Sequence, residues 1–380
     1  MADKDSVRDI IGTSAAQSAA ISTPILSPLV ISSLIVGLSI GELEAGELIT
    51  LELLIIGITS IALAPLMPRI SLRVLTLVAA LFLVGAHILS ARAGTLDNLY
   101  LWRILAGLCI GCLTAAVNAA IARSRSPALL YGLAWAAGYT TSAILALALT
   151  RTNDVTSYQQ VYFALAIVMV LIVPLLWLMP RQQYEASIHG KEKLEIPPGI
   201  MLLTAVTLVG LSMMAYYAFL GQLAISIGST AKQTGWILAM AQVAGIIGGL
   251  SVAPVSNRLG VLKSLLLVAP LHAAAIMLAI WTPSTLVLGI AAFFEAVLFI
   301  IMTPLMFTLA AGLDNQGRWA AAAAGTFTLS TAFGPVIGAL LIEHSGYSSI
   351  AWMQALALLP AVLIFIRVDR VVNTKHIAND

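Results

Sequence analysis

Charge is scarce in this 380-residue chain: Asp, Glu, Lys and Arg make up 9% of it, hydrophobic residues make up 60%, and mean hydropathy is +1.00. Such a composition cannot supply a polar surface around a water-soluble core, so it excludes a soluble helical protein and requires one that spans a membrane repeatedly. Cysteine is nearly absent. Cys109 and Cys112 stand three apart in one apolar run, too few for a disulfide framework or a metal site. The five histidines (His87, His189, His272, His344 and His376) are dispersed, and no nucleophile stands beside a base at helical spacing. The chain therefore offers no catalytic centre and no cluster to hold a metal or cofactor. Basic residues are scattered through short segments, which argues against a nucleic-acid partner. Met1 to Arg8 mixes Lys4 and Arg8 with Asp3 and Asp5, and no small-residue cleavage site follows a short apolar core, so no removable signal peptide is expected.

What the chain has instead is long apolar runs. They fall near 14–39, 48–66, 72–90, 98–121, 127–149 and 158–179, then near 198–226, 232–255, 262–281, 285–311, 319–342 and 347–368. Each reaches or exceeds the roughly 20 residues a helix needs to cross the hydrocarbon core. Twelve spans place both termini on one side of the membrane. With the termini inside, fifteen of the nineteen Lys and Arg residues lie inside, and the outer side keeps Arg92, Arg103, Arg151 and Lys232. The excess of inner positive charge predicts cytoplasmic termini. The first outer loop is acidic instead, with Glu42, Glu44 and Glu47. The short loops and the absence of Asn-x-Ser/Thr sequons fit a bacterial inner (plasma) membrane.

A six-residue pattern occurs twice, about half a chain length apart. Ala64-Pro65-Leu66-Met67-Pro68-Arg69 is followed by Arg73, and Ala253-Pro254-Val255-Ser256-Asn257-Arg258 is followed by Lys263. Each copy separates two apolar runs. The repeat predicts an N-terminal six-helix bundle over 1–180, a cytoplasmic linker over 181–197 whose charges cancel, and a C-terminal six-helix bundle over 198–380.

These features resemble the major facilitator superfamily (MFS). The basic turn after spans two and eight is similar to that family's loop motif: the second copy keeps Gly249, Arg258, Gly260 and Lys263, and the first keeps Arg69 and Arg73 without the glycines or the acid. Arg103-Ile104-Leu105-Ala106-Gly107-Leu108-Cys109-Ile110-Gly111 in the fourth span is a second similarity. The resemblance implies an all-α membrane protein with twelve transmembrane helices in two pseudo-symmetric bundles. It implies a latch role for Arg69, Arg73, Arg258 and Lys263; anchoring the topology by positive charge is the alternative reading. Gly107 with Gly111, Gly245 with Gly249, and Gly334 with Gly338 are small-residue pairs that let helices approach closely.

Acids inside spans are the chemically expensive residues. Glu295 lies about ten residues into the tenth run, about 15 Å deep and hence near the midplane, with nothing beside it in Phe293-Phe294-Glu295-Ala296-Val297 to neutralise it. Glu52 and Arg103 lie at similar depths near the outer ends of their spans and are candidates for an ion pair. Shifted by half a chain, Arg103 lands close to Glu295. Glu295, Glu52 and Arg103 are therefore the candidate proton-coupling groups. His87 and His272 read as neutral packing residues, because the resemblance makes the third and ninth helices peripheral.

The family's cavity-lining helices suggest the substrate-binding candidates. Thr114 and Asn118 continue inward from Arg103, while Tyr131, Trp135 and Tyr139 form a stripe on the fifth span. Met213 and Tyr217 follow on the seventh, and Trp236, Met240 and Gln242 on the eighth. Phe299, Met302 and Met306 share a helical face with Glu295. Such a lining is aromatic and Met-rich, suited to an amphipathic organic molecule. The expected function is alternating-access secondary transport of a small organic substrate by a monomer in the lipid bilayer. A proton gradient is the expected driving force, and export is favoured over import. A proton-driven importer, a uniporter and a transporter-like receptor are the alternatives. The fifth span lacks the Gly-Pro-rich stretch of many drug antiporters, and Gly334-Pro335 with Gly338 stands in the eleventh instead.

Overall fold

A computed structural model describes residues 6–150, 157–180, 196–314 and 317–379. Among these residues every regular element is helical, and eleven helices are each long and apolar enough to cross a membrane. An apolar environment offers the backbone no water, so each segment satisfies its own N–H and C=O groups along the helix. Helix starts are marked by local side-chain caps. Ser6 Oγ accepts from the Asp9 N–H, and Ser157 with Gln160 and Thr230 with Gln233 form reciprocal capping boxes.

The first apolar run is not one helix. It divides into α1 (Val7–Ile25) and α2 (Ser27–Leu38), with Leu26 as the joint. Pro28 has no N–H to give to the carbonyl of Pro24, so the helical ladder breaks where the two prolines stand four apart. The seventh run divides in the same way into α8 (Ile196–Tyr217) and α9 (Leu220–Ser226). There the Phe219 N–H tightens onto the Tyr216 carbonyl, three residues back. Interruptions in matching spans of two repeated halves are a mark of transporter folds.

The other spans are α3 (Glu42–Leu63), α4 (Leu72–Ala91), α5 (Leu96–Ala122), α6 (Pro127–Thr150), α7 (Tyr158–Leu176), α10 (Ala231–Leu259), α11 (Val261–Trp281), α12 (Thr285–Ala311), α13 (Arg318–Ser345) and α14 (Ser348–Asn379). With the two divided runs they account for twelve membrane passes. The 181–197 linker lies outside the described residues as far as 195, and its last two residues open α8.

The chain forms two compact units. The first comprises residues 1–126, 137–190 and 316–325, and the second 127–136, 191–315 and 326–380. In the first unit α5 packs on α3 and α4, and α4 packs on α7. Gly107 and Gly111 make the α3 approach possible: a Cβ on Gly111 would come within 2.8 Å of the Ile56 carbonyl oxygen. In the second unit α12 packs on α10 and α11, and α14 on α8 and α11. Gly334 and Gly338 bring α13 against α8, where a Cβ on Gly338 would come 2.9 Å from the Ala215 oxygen.

Candidate functional site

Each unit encloses a buried polar cluster. In the first unit Arg103 on α5 is fully buried. Its Nη1 donates to Glu52 Oε1 at 3.3 Å from α3, and Nε and Nη2 donate to Ser90 Oγ at 3.1 and 2.8 Å from α4. Nη2 also stands 3.3 Å from His87 Nδ1, and the guanidinium carbon lies 4.4 Å over the Tyr162 ring of α7. An arginine has donors and no acceptor, so His87 Nδ1 accepts and the neutral ring carries its proton on Nε2. Ser90 in turn donates to the Ala86 carbonyl, which leaves its lone pairs to the guanidinium. Three neighbouring helices thus supply four partners, two of them from α4, to a charge that the hydrocarbon would otherwise reject.

In the second unit Glu295 on α12 is buried, with Oε1 3.0 Å from His272 Nε2 on α11. Gln354 on α14 gives its amide Nε2–H to His272 Nδ1 at 2.9 Å. Tyr216 and Tyr217 on α8 lie in the neighbourhood of Glu295. Phe299 packs against the imidazole with ring centres 6.3 Å apart, and Phe327 stacks on Phe299 at 6.0 Å. Because the Gln354 amide N–H can only donate to Nδ1, the ring proton of His272 lies on Nε2, where it donates to Glu295 Oε1.

The structure brings Glu52 and Arg103 together, and it gives Glu295 a partner that its own helix lacks. His87 and His272, set aside as packing residues by the sequence reading, are instead members of the two clusters. Ser90, Tyr162 and Gln354 were missed altogether. One sequence signal was available: the clusters draw on matching helices of the two halves at nearly matching offsets.

The substrate-binding candidates divide by environment. Phe299, Met302, Met306, Met213, Trp135 and Asn118 are buried. Asn118 gives its amide to the Thr114 carbonyl of its own helix at 2.7 Å. Thr114, Tyr139, Tyr217 and Gln242 are half-buried, while Trp236 is 59% and Met240 37% exposed. Of the four basic turn residues, Arg69, Arg258 and Lys263 are exposed. Arg73 is buried, donating Nε and Nη2 to the Met179 carbonyl at 2.9 and 2.6 Å and lying 5.8 Å from the Trp177 ring centre. It fastens the start of α4 to the chain just beyond α7.

Twelve membrane passes in two halves, interrupted first and seventh spans and a buried polar cluster in each unit define a secondary-transporter fold. The sequence matches the Major Facilitator Superfamily over residues 11–313 and 202–379, and the chain belongs to that family. No curated protein matches it. Among solved structures it is similar to the MFS transporter FucP in its outward conformation, with a TM-score of 0.75, 14% identity, and coverage of 95% of this chain and 98% of FucP. It is also similar to the human organic anion transporter MFSD10, with a TM-score of 0.73, 12% identity, and coverage of 94% and 99%. The proton:xylose symporter XylE bound to 6-bromo-6-deoxy-D-glucose is a third, with a TM-score of 0.69, 14% identity, and coverage of 95% and 94%. At these identities the likeness is one of fold.

Proposed function

We propose that this transporter moves a small, amphipathic organic molecule by alternating access, driven by protons, with Glu295 as the residue that takes up and releases the coupling proton. The observation that carries this reading is the buried Glu295 carboxyl with the His272 imidazole as its hydrogen-bond partner. A carboxylate in an apolar span is expensive, so a change in its surroundings during the transport cycle shifts its proton occupancy. The Glu52–Arg103 pair is a second coupling group, available to a proton only when Arg103 moves away. The exposed Trp236 and Met240 of α10, with the half-buried Gln242 on the same helix and Tyr217 on α8, suit an apolar body with a polar edge. We further propose that the protein works as a monomer in the inner membrane with both termini cytoplasmic, as its inner positive charge favours.

Export is the favoured direction. Import is the second reading, because FucP, described for Escherichia coli as a fucose:proton symporter, and the proton:xylose symporter XylE share the fold. The test begins with a thermal-stabilisation screen of the purified protein against amphipathic compounds and small polar metabolites. The stabilising compound is then followed across proteoliposome membranes with and without a pH gradient. Gradient-driven flux that Glu295→Gln abolishes, with ligand stabilisation retained, supports coupling. Flux indifferent to the gradient and to Glu295→Gln overturns it, and saturable binding without flux would make the protein a receptor.

A further inference from the structure

Both halves carry a polar group at four matching places: Glu52 and Gln242 on α3 and α10, His87 and His272 on α4 and α11, Arg103 and Glu295 on α5 and α12, Tyr162 and Gln354 on α7 and α14. Their charge balance differs. In the first unit the guanidinium and the Glu52 carboxylate cancel, and His87 is neutral, so a further proton would leave net positive charge in an apolar interior. In the second unit no lysine or arginine among the described residues pairs with Glu295. His272 from α11 faces it, with Gln354 of α14 behind the imidazole, and the titratable groups in its neighbourhood from α8 are Tyr216 and Tyr217. A carboxylate beside a neutral imidazole carries one negative charge, and a single added proton cancels it.

We propose that His272, Glu295 and Gln354 form a one-proton site in which Gln354 is the positioning residue that sets the imidazole tautomer and turns its amide over when His272 becomes charged. This refines the proton-coupled reading above and takes from it the purpose of the site, while its geometry stands on the structure. With Gln354 Nε2–H donated to Nδ1, the ring must hold its own proton on Nε2, facing Glu295. Gln354 Oε1 is buried and has no hydrogen-bond partner, so the amide keeps an acceptor in reserve. When a proton binds Nδ1, an N–H bond forms there and the amide half-turn presents Oε1 to it. The proton on Nε2 can then pass to Glu295 Oε1, breaking that N–H bond and forming an O–H bond. The imidazole is left neutral with its proton on Nδ1, and the cluster holds one proton more than before. Returning the amide to its first orientation requires that Nδ1 give its proton up. The matching place in the first unit is filled by Tyr162, whose ring stacks beside His87 with centres 6.3 Å apart and whose hydroxyl has no hydrogen-bond partner.

The test is nitrogen NMR of the full-length protein in lipid bilayers with isotope-labelled histidine, the His272 signals being identified by their loss in His272→Asn. At alkaline pH the wild-type ring is expected to show Nε2 protonated and Nδ1 bare, with both protonated after acidification. At that alkaline pH an ionised Gln354→Glu offers acceptors only and is expected to put a proton on Nδ1. Gln354→Leu offers neither, so Glu295 alone holds the Nε2 proton, and a minor Nδ1-protonated form is expected to appear. A wild-type ring protonated on Nδ1 at alkaline pH, or a tautomer unchanged by both substitutions, overturns the proposal. The wild-type measurement needs no Gln354 variant to fold, only the His272→Asn variant that assigns the signals. The expected tautomers without gradient-driven flux would leave the site standing and remove the coupling reading, and gradient-driven flux with a tautomer indifferent to Gln354 would do the reverse.

Discussion

His272 Nε2 stands 3.0 Å from Glu295 Oε1, although the two residues lie on different helices, α11 and α12. The contact joins a buried acid to a group that can itself accept a proton. Removing the imidazole would take away the hydrogen-bond partner of Glu295 Oε1. His272→Leu is therefore expected to favour a permanently protonated Glu295, because the neutral acid is the cheaper occupant of an apolar site. Infrared difference spectra should show a protonated carboxyl band that persists to high pH in His272→Leu and disappears in the His272→Leu, Glu295→Gln double variant. A band that titrates as in the wild type would mean that the imidazole does not govern the acid.

Arg103 presents the opposite case, a buried charge with four neighbours. Arg103→Met strands Glu52 and is expected to cost about 3–5 kcal/mol, the usual penalty for breaking a buried pair from one side. Arg103→Met combined with Glu52→Leu removes both charges and should regain most of that loss. Chemical or thermal unfolding in detergent reads the difference. Equal destabilisation by the single and double variants would show that the hydrogen bonds to Ser90 and the packing on Tyr162, rather than the ion pair, set the cost.

Glycine positions give a cleaner contrast. A Cβ on Gly111 meets the Ile56 carbonyl at 2.8 Å and Thr59 Cβ at 2.6 Å, backbone and branched carbon that cannot move aside cheaply, whereas a Cβ on Gly85 meets nothing within 4 Å. Gly111→Ala should destabilise by about 1–3 kcal/mol through overpacking, while Gly85→Ala should be neutral or slightly stabilising through helix propensity. Paired unfolding curves decide it, and equal responses would place the α3–α5 approach elsewhere.

Much of this architecture is legible in the sequence because it is local. Apolar length fixes the spans, and the Pro24 to Pro28 spacing lies exactly one helical hydrogen bond apart, enough to explain the break in the first run once the ladder is drawn. The break between α8 and α9 has no proline to announce it; Phe219 sits there against Gly338 of α13, a tertiary contact. Glu295 and the Glu52–Arg103 pair stood out because charges in apolar runs are costly. His272 did not, because an imidazole can be neutral and its partner depends on which face α11 turns to α12. Aromatic stripes mislead for the same reason: Tyr131 and Trp135 are buried whereas Trp236 is exposed, and spacing alone cannot tell those cases apart.

Arg73 separates two readings of the basic turns. Its two hydrogen bonds to the Met179 carbonyl and its place by Trp177 make it a staple within the first unit, while Arg69, Arg258 and Lys263 are exposed. Arg73→Gln is expected to lower stability by about 1–3 kcal/mol, since charge-assisted bonds to a buried carbonyl are lost. Arg73→Lys keeps the charge but not the two-pronged geometry and should recover only part of it. Arg69→Gln and Arg258→Gln should leave stability within about 0.5 kcal/mol, as exposed substitutions usually do. If they instead slow transport while stability holds, their role is in the conformational cycle. If all of these variants keep full stability and flux but reverse the membrane orientation of some molecules, the residues serve topology alone.

The exposed Trp236 provides the last test, because it distinguishes a lining residue from a packing one. Trp236→Ala removes a side chain that is 59% exposed, so the fold should lose little, within about 0.5 kcal/mol. Trp135→Ala removes a buried ring of the same size and should cost about 3–5 kcal/mol. If Trp236 lines the substrate path, its loss should weaken binding of the stabilising compound on the order of tenfold, the scale of an aromatic contact truncated at a binding site. The compound should also quench Trp236 fluorescence in a protein whose other tryptophans are replaced by phenylalanine. Unchanged affinity with unchanged stability would assign Trp236 to the lipid, and the substrate would then have to be held by the half-buried Tyr217 and Gln242 or by groups on other spans.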